Sequence, residues 1–353
     1  MNPYGFVRLG PAAQREGAIR HDQFKGLSGC LHCRLTALTH LFIPKTQETA
    51  RGKHQELSLL RSADGRPMLP GSSLKGVIRS VAEALSGSCL TLPLGKGGEI
   101  EYRGRPPDSY RIPRGFEHCR DADRLCPACR IFGSLSGDSA FLGKVSLNDA
   151  IAVEAFQVET MTIEALMEPK PRHRAWYDDP QQRGYLRGRK FYYHRPLGPR
   201  RTAVKGEYNK TIEAVGPGAV FEFGLDYTNL NEAELALLVF ALTLEPGMAH
   251  KVGMGKPVGL GSTRIEIIGW EQIDRQARYR QLGGGVTILE ADALSGEIAR
   301  WQDKYHQMYA NWQESLADLR RIWTWQPSST TEIRYPGQDW FRKNPRTPIE
   351  QAP

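Results

Sequence analysis

Three of the six cysteines stand close together, as His118-Cys119 followed by Cys126-Pro127-Ala128-Cys129. Two ligand pairs separated by a short loop are typical of a tetrahedral zinc site. The predicted ligand set is His118, Cys119, Cys126 and Cys129. Because adjacent residues tend to point apart, the fourth position stays open between His118 and a more distant group, Cys89 or His54. Four protein ligands predict a closed, structural Zn²⁺ site that pins the irregular region 87–143.

Two glycine-bearing segments also carry lysines, at 70–76 (PGSSLKG) and 251–261 (KVGMGKPVGLG). Glycines let a backbone approach a partner closely, and free N–H groups beside lysines suit phosphate oxygens. The formal net charge of +8 favours an anionic partner. The two segments together predict binding to a polyphosphate, with RNA as the first candidate. The alternative is that each segment is only a turn.

Positive charge is concentrated in the segment 168–210. It contains twelve basic and four acidic residues, so its net charge of +8 equals that of the whole chain. Aromatic residues lie among these charges, which favours RNA binding over a solvated charged loop. The sequence contains no run of 18 apolar residues, so no membrane span is predicted, and the N-terminus has no signal-peptide pattern. We expect a cytoplasmic protein whose cysteines are thiols or metal ligands.

Hydrophobic periodicity predicts an α+β fold. Alternation over 30–43 and 219–227 indicates half-buried strands, whereas a helical stripe over 72–85 and a capping-box pattern at Asn231 and Glu234 indicate helices. Further strands are expected at 145–153, 158–166 and 263–268. The resulting order is β-α-β-β-α-β, as in ferredoxin-like or RRM-like folds.

The expected organisation surrounds this core with additional segments. The core spans 29–270 and contains a zinc-binding insertion at 87–143 and a basic insertion at 168–210. The flanking parts are an N-terminal arm (1–28), a C-terminal helix (286–326) and a polar tail (327–353).

The motifs together resemble those of the RAMP superfamily of CRISPR-associated proteins. The segments that carry the resemblance are 69–76 (LPGSSLKG), 126–133 (CPACRIFG), 187–194 (RGRKFYYH) and 251–261. The opening Asn2–Val7 and the late Arg334-Tyr335-Pro336 are similar to the branch of type III-D backbone proteins and the fused single-chain effector.

This resemblance implies a backbone subunit of a type III-like effector that acts in antiviral defence. The expected partners are a CRISPR guide RNA, complementary target RNA, other effector subunits and further copies of the chain. The segment 168–210 would be the thumb that reaches over the guide, or the support of that thumb. The residues expected to bind RNA are Ser72, Ser73, Lys75, Arg79, Arg187, Arg189, Lys190, Tyr192, Tyr193, His194, Lys251, Gly253, Gly255, Lys256, Gly259 and Gly261.

The resemblance also raises the question of catalysis. Some RAMP backbone subunits cut target RNA through an aspartate in the loop after the first strand, with a divalent metal that stabilises charge at the phosphate. The corresponding loop, 44–66, has no aspartate at that place, and the candidate catalytic residues are Glu56 and His54. Binding without cleavage is therefore favoured. The alternatives are a Mg²⁺-dependent endoribonuclease that cuts the target or matures the guide, and an RNA-binding scaffold outside CRISPR.

Overall fold

The computed structural model describes residues 1–46, 53–90, 99–100, 110–136, 139–153, 155–166 and 174–353. Within them the chain forms a mixed α/β fold built on an antiparallel sheet. The strands are β1 (Tyr4–Val7), β2 (Leu27–Ala37), β3 (Gln55–Leu57), β4 (Met68–Leu69), β5 (Glu99–Ile100), β6 (Tyr110–Arg111), β7 (Gly133–Ser136), β8 (Ser139–Leu142), β9 (Val145–Leu147), β10 (Ala150–Ala152), β11 (Val158–Ile163), β12 (Arg189–Tyr192), β13 (Lys210–Val215), β14 (Val220–Leu230), β15 (His250–Lys251), β16 (Ser262–Ile273) and β17 (Val286–Leu289).

The main sheet has the strand order β15-β16-β2-β14-β10-β4, with β9 beside β14 and β17 beside β16. Strand β2 lies in its centre because its apolar residues alternate with polar ones. Leu31, Cys33 and Leu35 are buried on one face, whereas His32 and Arg34 point to the other. A smaller sheet, β11-β13-β3, lies beside the main one, and its strand β3 falls within the region 44–66 that was predicted to be a loop.

Eight helices lie in the described part of the chain, and the first, fourth and sixth of them pack closely on the main sheet. The eight helices are α1 (Gly71–Leu85), α2 (Pro127–Phe132), α3 (Arg174–Tyr177), α4 (Glu232–Thr243), α5 (Arg275–Arg280), α6 (Ala291–Met308), α7 (Gln313–Trp323) and α8 (Gln338–Lys343). Helix α4 is apolar on all sides, and every residue from Leu235 to Leu242 is buried. It can be so because α1, α6 and the sheet all pack against it. Its N-terminus has the predicted capping box between Asn231 and Glu234.

The single C-terminal helix predicted over 286–326 is interrupted. Its first residues form β17, and a 3-10 turn at Ala310–Trp312 separates α6 from α7. Aromatic contacts explain the break. Tyr309 stacks on Tyr305 beneath α4, while the Trp312 indole donates a hydrogen bond to the Pro11 carbonyl. The change of direction lets α7 pack against β1 and β12, which a straight helix would miss.

The N-terminal arm and the polar tail meet in a second hydrophobic core. Strand β1 pairs with β12, and Tyr4 and Phe6 pack with Trp176. The tail contributes Trp340 and Ile349 to the same cluster. The tail at 327–353 is therefore packed rather than extended into solvent, because its few apolar residues find partners far away in sequence.

No helix in the described part of the chain combines the length and the apolar character needed to cross a bilayer.

Candidate functional site

A groove with a cavity of about 770 Å³ lies where the two glycine-bearing segments meet β12. Ser73, Gly76 and Ser80 of α1 form one wall, since residues three and four apart share a helix face. The groove is also lined by Lys45, Lys190, Lys251 and Lys256, and no acidic residue is among the described residues that line it. We call it the lysine groove.

Lys190 enters the lysine groove from β12 between aromatic rings. Its ammonium lies 3.7 Å from the centroid of the Tyr4 ring and 4.9 Å from that of Tyr192. These are cation–π distances. Burial nevertheless lowers the pKa of Lys190 to about 7. The attraction of the rings therefore compensates only in part for the lost hydration of the ammonium group. A phosphate placed here would stabilise the charged form.

Lys251 and Lys256 come from the second glycine segment. The Lys251 ammonium donates to the Leu260 carbonyl at 2.9 Å, and that of Lys256 to the Gly253 carbonyl at 2.8 Å. Burial, followed by repulsion from Lys256, lowers the pKa of Lys251 to about 7. Burial also lowers the pKa of Lys256. Lys251 is buried and Lys190 and Lys256 are half-buried, and none of the three has a carboxylate partner among the described residues.

Glycine is required in and around the lysine groove for two different physical reasons. Gly253 and Gly261 have φ of 80°, and a Cβ at either would collide with a backbone carbonyl, of Phe42 and Val252 respectively. Gly255 and Gly259 also have positive φ and lie against Leu260 and Arg195. These four glycines are needed by the loop itself, and only Gly253 lines the groove.

Gly76 is different because nothing lies within 4 Å of a Cβ added there. A glycine in the middle of a helix is unfavourable relative to alanine by about 0.5–1 kcal/mol. No contact with the described residues explains it, and its position on the groove wall leaves room for a ligand backbone.

Several residues predicted to bind RNA face elsewhere. The Lys75 ammonium donates to the Val145 carbonyl at 3.1 Å. His194 is buried, and its ring nitrogens contact the Ser262 hydroxyl and the Ala249 carbonyl. Ser72 is exposed outside the groove lining, and Tyr193 is half-buried against Gly5. Of the sixteen predicted RNA-binding residues, the groove lining contains Ser73, Lys190, Tyr192, Lys251, Gly253 and Lys256.

Arg79 and Arg189 form a buried bridge instead. Both guanidinium groups bind the carboxylate of Glu83, at 2.8 and 2.7 Å. Arg189 also donates to the carbonyls of Ser88 and Cys89 at 2.7 and 2.8 Å. Sequence analysis missed Glu83, whose burial on a helix face with a basic neighbour four residues away is the only local signal. This bridge fixes β12 against α1, and hence the position of Lys190.

The other arginines of the segment 168–210 are mostly paired within the chain. Arg187 binds Glu350, and both Arg195 and Arg200 bind Glu332. Arg201 pairs with Glu159. The strong positive charge of this segment is therefore partly neutralised by acids of the tail, which a count along the sequence does not reveal. Lys170 and Arg172 lie outside the described residues.

A cluster of four thiols lies beneath α1. The sulfur atoms of Cys89, Cys119, Cys126 and Cys129 are all buried and within 4.8 Å of one another. Sγ of Cys89 lies 3.6 Å from that of Cys129 and 3.7 Å from that of Cys126. A tetrahedral metal with Zn–S bonds of about 2.3 Å requires sulfur atoms about 3.8 Å apart. The donor set and its spacing fit Zn²⁺.

The surroundings of this cluster act differently on its thiols, because hydrogen bonds with the other cysteines raise the pKa of Cys89 and Cys129 but lower that of Cys126. The backbone N–H of Cys126 donates to Sγ of Cys119 at 3.3 Å, and Arg79 donates to Sγ of Cys129 at 3.6 Å. Hydrogen bonding, first from Cys119, lowers the pKa of the Cys126 thiol well below its usual range. The fourth sulfur comes from Cys89. His118, the predicted fourth ligand, instead lies 3.5 Å from the Ser134 hydroxyl, because its side chain points away from that of Cys119.

The candidate catalytic residues lie on or beside β3, outside the groove lining. Glu56 is solvent-exposed and accepts a hydrogen bond from Lys205 at 2.7 Å, which lowers its pKa. The ring nitrogens of His54 contact Asn209 at 2.6 Å and Thr211 at 3.1 Å. Both side chains are thus engaged by neighbours on β13 and in the preceding loop.

A comparison with known protein families identifies a match for this chain. The family model of the RAMP superfamily matches residues 34–264. The chain belongs to the RAMP superfamily. Curated proteins gave no match. RAMP proteins are CRISPR-associated, bind CRISPR RNA and act in multi-subunit complexes.

The RAMP match runs from the middle of β2 to the start of β16. It includes the main part of the lysine groove and all four cysteines of the cluster, whereas β1, α6, α7 and the tail lie outside it. The flanking elements nevertheless complete the site, since Tyr4 of β1 contacts Lys190 and Trp323 of α7 lines the groove.

Proposed function

We propose that this RAMP protein is a guide-RNA-binding backbone subunit of a type III-like, RNA-targeting effector, close to the type III-D branch. The observation that carries the proposal is the lysine groove, to which both glycine-bearing segments and β12 contribute. Strands β2, β10, β14 and β16 with α1 and α4 would be its β-α-β-β-α-β core, since β16-β2-β14-β10 is their order in the sheet.

The chemistry of the lysine groove suits a sugar-phosphate backbone. Lysines bind phosphates as point charges, and phosphate contacts carry no sequence information. Ser73 offers a hydroxyl group, whereas that of Ser80 donates to the Gly76 carbonyl, and Gly76 leaves space for close approach. Tyr192 also lines the groove, and its half-buried ring packs edge-on against that of Tyr4. A protein that holds a guide of any sequence needs this combination, because base pairing supplies the specificity.

The four-cysteine cluster would hold a structural Zn²⁺, which when bound ties the segments carrying Cys89, Cys119 and Cys126 together. Four thiolates would fill the tetrahedral coordination shell of the metal, so no coordination position would be left open for a substrate. The Glu83 bridge connects this site to β12, and so to Lys190. The proposed metal therefore supports the groove from outside.

Binding without cleavage is the activity we propose for this chain. It is supported by the ion pair of Glu56 with Lys205 and by the absence of both Glu56 and His54 from the groove lining. If the chain did cleave, Mg²⁺ and a carboxylate near the bound strand would be required.

The test is to express the chain with its effector partners and a CRISPR array, purify it and sequence the RNA that co-purifies. We expect short RNAs with a common repeat-derived end. A charge-reversed variant of Lys190 and Lys256 should lose this RNA, whereas reversal of the exposed Lys25 should retain it. Random cellular RNA in the wild type, or guide RNA retained by the groove variant, would contradict the proposal.

A further inference from the structure

A second positively charged cavity lies beside the cysteine cluster, since the two neighbours of Cys119 in the chain, His118 and Arg120, line it. Its volume is about 700 Å³, and it lies between the N-terminal segment and the loop that carries Cys119. Four arginines line it: Arg15, Arg114, Arg120 and Arg124. We call it the arginine pocket.

Three of these guanidinium groups have no partner in the part of the chain that the structure describes. Among the described residues, the side chains of Arg114, Arg120 and Arg124 make no hydrogen bond or ion pair, and all three are exposed. This contrasts with the insertion arginines such as Arg195 and Arg200, which are paired with acids.

The two acids of the arginine pocket serve the loop rather than these arginines. Glu117 accepts a hydrogen bond from the Gly115 backbone at 2.9 Å and lies 3.8 Å from Arg15. Asp121 accepts one from the Asp123 backbone at 2.9 Å. With four arginines against two carboxylates, the lining has a net positive charge, and three guanidinium groups are available to a ligand.

The backbone under the arginine pocket is well anchored. Glu16 and Leu125 exchange two backbone hydrogen bonds, of 3.1 and 2.9 Å, and the Leu90 N–H donates to the Phe116 carbonyl at 2.8 Å. Cys119, between two lining residues, belongs to the four-cysteine cluster. Such anchoring reduces the ordering that a ligand would otherwise have to impose on the loop.

We propose that the arginine pocket binds phosphodiester groups of an RNA strand at a site separate from the lysine groove. The planar guanidinium group matches phosphate oxygens in bidentate geometry. This proposal rests on the proposed RNA-binding function, and it adds a contact that the groove does not provide.

RNA suits the arginine pocket better than an acidic protein partner does. Protein interfaces are centred on buried aromatic or aliphatic anchors. The described apolar lining here is limited to Ala13 and Ile112, and no aromatic residue is among it. A sugar-phosphate strand needs no such anchor, because its affinity comes from charge neutralisation.

The test measures binding of a long single-stranded RNA by fluorescence anisotropy at several salt concentrations. The variant replaces Arg114, Arg120 and Arg124 with alanine. The control replaces three exposed arginines elsewhere, Arg278, Arg280 and Arg346, and so removes the same net charge. Each lost phosphate contact should reduce the slope of log K against log salt by about 0.7. We expect a reduction of up to about 2 in the pocket variant and a much smaller one in the control.

A triple lysine variant at Arg114, Arg120 and Arg124 keeps the charge and should retain most of the slope, which separates loss of contact from misfolding. Equal slopes for the pocket and control alanine variants would overturn the proposal. So would an unchanged RNA slope together with loss of binding to a polyglutamate probe, which would assign the pocket to an acidic protein. Failure of the wild type to bind any RNA would instead refute the proposed function itself.

Discussion

Affinity for RNA should fall steeply as pH rises above 7. Burial lowers the pKa of both Lys190 and Lys251 from 10.5 to about 7. Neither lysine faces a carboxylate among the described residues that line the groove. The neighbouring groups stay neutral near pH 7, since burial raises the pKa of Tyr192 to about 12 and lowers that of His194 to about 3.

The direction follows from these depressed values. Below pH 7 both lysines are already charged, so a phosphate binds without proton uptake. Above pH 7 the free groove is neutral at both positions, and each lysine must take up a proton when RNA binds. Linkage then lowers the association constant by up to about tenfold per pH unit for each lysine, and by up to about a hundredfold for both.

The assay is RNA binding by anisotropy between pH 6 and about 8.5 at constant ionic strength, within the range where these lysines titrate. Lys190→Arg should remove about half of the pH dependence, because a guanidinium stays charged throughout. Lys45→Arg is the matched control, since Lys45 lines the same groove but is solvent-exposed. An affinity that stays flat across this pH range in the wild type would refute the reasoning.

Three further predictions concern single residues. Gly76→Ala should raise the free energy of unfolding by about 0.5–1 kcal/mol and yet weaken RNA binding; unchanged affinity would show that the open space is not used. Cys89→Ser should reduce bound zinc and the melting temperature, whereas His118→Ala should retain zinc, by metal analysis and calorimetry; the reverse pattern would contradict the four-thiol site. Glu234→Ala should lower the free energy of unfolding by about 3–5 kcal/mol in denaturant titrations, since it leaves two buried cations without a carboxylate; a decrease of less than about 1 kcal/mol would contradict this.

The Glu234 prediction rests on a buried triad. Glu234 is fully buried and accepts hydrogen bonds from Arg130 at 2.7 Å and Lys144 at 2.9 Å. Its carboxylate also completes the capping box of α4. The triad joins α2, which contains Cys129 and begins directly after Cys126, to the central helix of the core.

Local sequence patterns predicted the parts of the fold that local forces determine. The alternation around Leu31 to Leu35 identified β2, and the pairing of Asn231 with Glu234 identified the start of α4. The Cys126-x-x-Cys129 turn likewise identified half of the cysteine cluster. In each case the signal and the structure lie within one element.

Features that depend on distant partners were not predictable from spacing. Cys89 joins Cys129 across 40 residues, so the fourth thiol could not be distinguished from His118 or His54. The acids that neutralise Arg195 and Arg200 come from the tail at Glu332. The break between α6 and α7 depends on aromatic contacts with other elements, which a repeating stripe does not encode.

Photochemical cross-linking of bound RNA, followed by mass spectrometry of the cross-linked peptides, tests the central claim most directly. The lysine groove predicts cross-links in three segments distant in sequence: 73–80 of α1, 189–192 of β12 and 251–256 of the second glycine segment. Tyr192 is the expected principal site, because it is the tyrosine among the described residues that line the groove. Cross-links confined to the exposed face of the main sheet, around His32 and Arg34, with none in these three segments, would contradict the account.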